Sequence, residues 1–133
     1  MTGTPDPIRH VTDFVTVPAG TYRCRIDEVR GGTTRAGDER WSLRLTVVGG
    51  ASDGRMAAWD SLVFSTRGRM RARRVLEGLG LPAAGRVTVE PSDLLGRIAA
   101  VEVRPAEYLS PDGSIVRRNE VPYDGWQREG GAS

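Results

Sequence analysis

The sequence predicts an all-β domain with a single helix, and three observations lead there. Between Arg40 and Val48, Trp41, Leu43, Leu45 and Val47 alternate with Ser42, Arg44 and Thr46. That period of two marks a strand with one buried and one wet face. Comparable extended stretches recur along the chain, separated by Gly- and Pro-rich turn signals. The stretch Arg67–Leu79, by contrast, sets Ala72, Val75, Leu76 and Leu79 at spacings of three and four, the apolar stripe of a helix.

Taken in order, residues 1–13 are polar, contain two prolines and read as a flexible arm. Residues 14–126 form the expected domain, and 127–133 a flexible tail. After the turn signal Pro18-Ala19-Gly20, the first strand runs from about Thr21 to Arg30, with Tyr22, Cys24 and Ile26 on one face. A glycine- and hydroxyl-rich connection, Gly31–Glu39, leads to the second strand, Arg40–Val48. The polar run Gly49–Gly54 turns it into the third, Arg55–Phe64. Ser65 or Thr66 is the candidate N-cap of the helix, and Gly80-Leu81-Pro82 its stop. Val87–Glu90 reads as a short extended piece and Pro91–Gly96 as a helical turn. Ala99, Val101 and Val103 alternate in a fourth strand, about Arg97–Pro105. Ser110-Pro111-Asp112-Gly113 is a turn, because Pro presets φ and Gly tolerates the positive φ that follows. A fifth strand occupies about Ser114–Val121. This order is that of a five-stranded oligonucleotide-binding (OB) barrel with its helix between strands three and four. A different small barrel with an inserted helix shares it.

Composition narrows the chemistry. A chain of 133 residues, 38% hydrophobic and 27% charged, can bury a core without staples. Cys24 and His10 are the only residues of their kinds, which excludes an internal disulfide and a Cys/His zinc site. The absence of lysine excludes a Walker phosphate loop. A serine nucleophile would need His10 as base, and His10 lies in the arm. The acid pairs Asp27/Glu28 and Asp38/Glu39 are adjacent, so in an extended chain they point apart. The protein is therefore expected to bind rather than catalyse, with no cofactor and no metal. Lacking an apolar leader or membrane-length run, it is expected in the cytoplasm, away from membranes.

Net charge is only +2, but all nineteen basic residues are arginine. Whatever its codon-level cause, this makes every cation a planar fork that can grip phosphate bidentately or lie on a ring. Between Ser65 and Arg86, six arginines face one acid, Glu77.

Several strings together carry a resemblance. They are Val17-Pro18-Ala19-Gly20-Thr21-Tyr22-Arg23-Cys24-Arg25-Ile26, then Gly54-Arg55 before a strand ending Trp59-Asp60-Ser61-Leu62. Leu76-Glu77-Gly78-Leu79-Gly80-Leu81 and Asp93-Leu94-Leu95-Gly96-Arg97 follow. In this order and spacing, from about Phe14 to Tyr123, the chain resembles a family of phage and prophage single-stranded-DNA-binding proteins long catalogued as a domain of unknown function. The resemblance implies an OB fold and sequence-tolerant binding of single-stranded DNA in replication or recombination, with replication or recombination proteins as further partners. A homo-oligomer is compatible with it. One departure is the C-terminus, Trp126-Gln127-Arg128-Glu129-Gly130-Gly131-Ala132-Ser133, which lacks the acidic tail through which many such proteins recruit partners.

Such binding needs a positive groove and aromatic faces, because every base offers a π-face. If Trp41 to Val47 face inward, Ser42, Arg44 and Thr46 face out, and folding the hairpin about its loop sets Arg44 opposite Trp59. In that register Ala57, Trp59, Ser61 and Val63 face out and Asp60 faces in; a one-residue slip sends Trp59 to the core instead. Trp59 and Arg44 are the candidate platform. Arg30, Arg35, Arg40 and Arg55 flank the loops, and Tyr108 and Arg117 flank the last hairpin, as candidate groove residues. Trp41, Tyr22 and Tyr123 read as packing residues. Trp126 is either a clasp over the barrel or a stacking group. The helix arginines read as a solvated face away from the groove. Two other uses of the same fold remain open: an interaction adaptor docking an acidic partner on the arginine helix, and an RNA-binding barrel.

Overall fold

The computed structural model describes residues 11–81 and 89–127. In chain order it holds β1 (Val11–Asp13), β2 (Gly20–Thr33), β3 (Glu39–Val47), β4 (Met56–Val63), α1 (Arg69–Gly78), a 3-10 turn (Pro91–Leu94), β5 (Ile98–Leu109), β6 (Ile115–Glu120) and β7 (Trp126–Gln127). Strand neighbours run β1-β6-β5-β2-β3-β4, with β7 added to β5. The fold is mostly β with one helix, and the five expected strands are β2 to β6. It differs from a closed five-stranded barrel in two ways. β1 pairs in parallel with β6, and β7 lies antiparallel on β5, making seven strands among the described residues. Among the described residues no ladder joins β4 to β6, so the sheet is not closed. Val11–Asp13, expected in the arm, is thus a strand, as is Gln127. Half of the extended piece expected at Val87–Glu90, namely Val87 and Thr88, lies outside the described residues, and Val89 and Glu90 belong to no strand.

Side chains hold the unladdered seam. Asn119 of β6, 5% exposed, donates its amide to the carbonyls of Val17 (3.0 Å) and Ala57 (3.2 Å). Farther along β4, Arg71 Nη1 donates to the Ser61 carbonyl at 3.2 Å. Carbonyls of a strand that lacks a second neighbour are thereby satisfied, as buried backbone groups must be.

Two bulges set which side chains face where. The β2–β3 register shifts between Ile26 and Glu28, so Asp27 is an extra residue. Before it Cys24 and Ile26 point into the core; after it Glu28 and Arg30 stand opposite Arg44 and Ser42, on the outer face. An unbulged strand would turn Arg30 toward the side of Ile26. In β4, Leu45 pairs with Ala58 and Thr46 with Met56, leaving Ala57 extra and buried rather than outward. The Arg44–Trp59 pairing is as expected from the hairpin.

The core gathers Trp41, Leu43 and Leu45 of β3, Leu62 of β4, and Val101 and Val103 of β5. Ala72, Val75, Leu76 and Leu79 of α1 pack on it, as their spacing requires. Trp41 meets Phe64 edge-on at 4.7 Å and is a core residue. The N-cap of α1 is Gly68 and not Ser65 or Thr66; Ser65 Oγ accepts from the Gly68 N–H one turn earlier. Gly68 is required there, since a Cβ would collide with the Val63 carbonyl. Trp126 is a clasp: its Nε1 donates to Asp60 Oδ2 at 2.7 Å, and the same oxygen takes Arg71 Nη2 at 2.8 Å. Asp60 is therefore held by two donors on one carboxylate oxygen.

Candidate nucleic-acid interface

A groove of about 880 Å³ runs along the open seam. The β2–β4 side supplies Arg30, Arg40, Ser42 and Trp59, and the β5–β6 side supplies Tyr108, Arg118, Asn119 and Glu120. The bulge at Asp27 brings Arg30 to this face, where its Cζ stands 4.8 Å from the centroid of the half-buried Trp59 ring. Across the groove Arg118 Cζ lies 4.9 Å from the Tyr108 centroid. Two guanidinium–aromatic pairs thus flank one channel.

Acids engage some of these groups. Arg30 Nε donates to Glu28, with the arginine side chain 67% exposed. Such an exposed pair contributes only about 0–1 kcal/mol, so the guanidinium is easily released. Tyr108 donates its hydroxyl to Glu120 Oε1 at 2.7 Å, and that bond, followed by burial, raises its pKa. The phenol therefore stays neutral and keeps donating. Arg40 and Arg118 have no ion pair among the described residues. Asn119, which also lines the groove, has its Oδ1 buried without a partner among the described residues, its amide nitrogen being committed to Val17 and Ala57.

Four of the eight sequence candidates, Arg30, Arg40, Trp59 and Tyr108, line this groove; four do not. Arg44 is opposite Trp59, but Asp27 holds it through two bonds of 2.8 and 3.2 Å, with Glu28 at 3.6 Å. The Arg44 hydrogen bond is also the main reason the Asp27 carboxyl sits below its ordinary pKa, against the opposing effect of burial. Arg55 Nη1 reaches the Thr16 carbonyl at 3.3 Å. Arg35 is exposed in the β2–β3 turn. Arg117 faces the other way and pairs with Asp13 at 3.1 Å. Its neighbour Arg118 is the groove residue that sequence reasoning missed. The last hairpin pairs Tyr108 with Val116 and Ala106 with Arg118, so residues 106, 108, 116 and 118 share a face. Counting that parity outward from Pro111-Asp112-Gly113 would have selected Arg118.

Other chemistry is sparse. Among the described residues, no group of three His, Cys, Asp or Glu side chains is placed to hold a metal ion. Cys24 is buried, which pushes its thiol up to about 11. No helix of the described residues is long and apolar enough to cross a membrane.

A search of curated proteins finds no match. A family model does match, over residues 8–77, more than half of the chain; that span covers β1 to β4 and most of α1 but not the Tyr108–Arg118 wall. The chain belongs to this family, described as Protein of unknown function (DUF669).

Proposed function

We propose that the protein binds single-stranded DNA, with little sequence preference, through the seam groove. The observation that carries this reading is the pair of arginine–aromatic platforms, Arg30 on Trp59 and Arg118 on Tyr108, on opposite walls of one channel. A base stacked on an aromatic ring gains about 1–3 kcal/mol whatever its identity, and guanidinium forks suit the intervening phosphates. Strand adjacency supports an OB-type barrel whose last seam is bridged by Asn119 instead of a ladder. Outer sheet surfaces and loops are the usual nucleic-acid face of that architecture.

The test is titration of the full chain with labelled oligothymidine and with duplex DNA across a salt series, following tryptophan fluorescence. Expected are single-strand preference, quenching, a negative salt slope, and a loss of about 1–3 kcal/mol for Trp59→Ala. Equal affinity for duplex, or a Trp59→Ala variant that binds as well as the native chain, refutes the reading. An RNA competitor assigns the sugar preference.

A further inference from the structure

We infer that the bound strand does not end at the groove but continues over Tyr123 onto the arginine face of α1. This extension rests on the single-stranded-DNA reading above and adds a second subsite to it. Three observations carry it. First, Tyr123 lies immediately beyond the groove wall. One guanidinium, that of Arg71, donates to Asp60 and Ser61, which line the groove, and to the Tyr123 carbonyl at 3.2 Å. Val121, two residues before Tyr123, also lines the groove.

Second, Tyr123 has the features of a stacking platform and not those of a packing residue. The residue is 55% exposed, and Arg71 Cζ stands 6.0 Å from its ring centroid. Arg71 is fixed by its three acceptors, so the ring has a guanidinium backing that a base need not displace. Trp59 and Tyr108 within the groove also have a guanidinium beside the ring, at 4.8 and 4.9 Å, though those arginines are less firmly held.

Third, the surface that follows is cationic and under-neutralised. The guanidinium groups of Arg67 and Arg69, both exposed residues, have no hydrogen bond or ion pair among the described residues. Arg73 meets Glu77 only at 4.0 Å, and Arg74 meets an Asp124 that is itself 79% exposed. Arg69 and Arg73, four apart on one helix, repel each other. A phosphodiester chain leaving the Tyr123 platform would relieve that repulsion, releasing counterions as it did so.

The experiment compares labelled oligothymidines of two lengths, one of roughly 6 nucleotides that fills the groove and one of roughly 20 that can run beyond it. The native chain is expected to bind the longer oligomer more tightly than its extra binding registers explain. Tyr123→Ala should remove roughly 5- to 150-fold of the longer oligomer's affinity and leave the shorter one's unchanged, while Tyr123→Phe restores it. Arg67→Ser with Arg69→Ser should flatten the salt slope by about 1.4 for the longer oligomer only. If both oligomers bind but neither variant affects the longer one, the extension is wrong and the groove reading stands. Failure of the native chain to bind either oligomer overturns both. Competition by polyglutamate that disappears in the double arginine variant, with long-oligomer binding unaltered by it, would reassign the helix face to an acidic protein partner.

Discussion

Asn119→Leu tests how the open seam is held. Asparagine and leucine are similar in shape, so the change removes polarity with little loss of volume. Two hydrogen bonds disappear, to the carbonyls of Val17 and Ala57, and each buried carbonyl left without its donor costs about 1–3 kcal/mol. One cost is also relieved, because Asn119 Oδ1 is already buried and unpartnered among the described residues, at about the same 1–3 kcal/mol. With two groups orphaned and one orphan removed, the net expectation is a loss of about 1–3 kcal/mol in urea unfolding followed by tryptophan fluorescence. Asn119→Asp sharpens the test. An ionised carboxylate cannot donate to either carbonyl, so the introduced group should hold its proton in the folded state. Its folded pKa then lies above the unfolded value of about 3.9, and stability falls as pH rises from there through the folded pKa. The deficit relative to the native chain should widen from acid to neutral pH. A leucine variant as stable as the native chain, or an aspartate variant whose deficit ignores pH, would show that these donors do not secure the seam.

Other expectations concern single side chains. Arg118→Ala should weaken oligothymidine binding in fluorescence anisotropy, whereas Arg117→Ala should not; equal effects would contradict the assigned face of β6. The Asp27 carboxyl is lowered below its ordinary 3.8, chiefly by its bond to Arg44, so its stabilisation is complete above that value and fades as pH falls through the lowered one. Asp27→Asn should therefore be less stable than the native chain at neutral pH, with the difference in urea midpoint shrinking in strong acid. Cys24, buried and raised to about 11, should resist a disulfide-exchange reagent until urea unfolds the chain. Rapid labelling of the native protein would indicate local opening of β2.

Strong periodicity made much of this fold readable. Trp41 through Val47 could only be a half-buried strand, and the polar turn after it set Arg44 across from Trp59. The helix stripe was equally plain, because Ala72, Val75 and Leu76 have no other way to share a face. What escaped was whatever a single extra residue decides. Nothing in Ile26-Asp27-Glu28 announces a bulge, yet that bulge, in a β2 that runs on to Thr33, turns Arg30 from a loop flank into the cap of Trp59. Adjacent Arg117 and Arg118 are chemically identical, and only the hairpin register separates them. Arg44 was placed correctly but is held by Asp27, a partner 17 positions away that no local pattern reveals. β1 and β7, three and two residues long, are too short to show any period.

β1 has a consequence for how the chain acquires its shape. Its partner lies more than a hundred positions downstream, Val11 against Ile115 through Asp13 against Arg117. No local nucleus can form that pairing, and it becomes inexpensive in loop entropy only after the β2–β5 and β5–β6 ladders have closed most of the intervening chain. During synthesis the first strand waits, unpaired, until β6 has left the ribosome. Docking of this exposed three-residue strand should accordingly come last and leave the overall rate to the longer non-local ladders among β2 to β6, on the millisecond-to-second scale of such topologies.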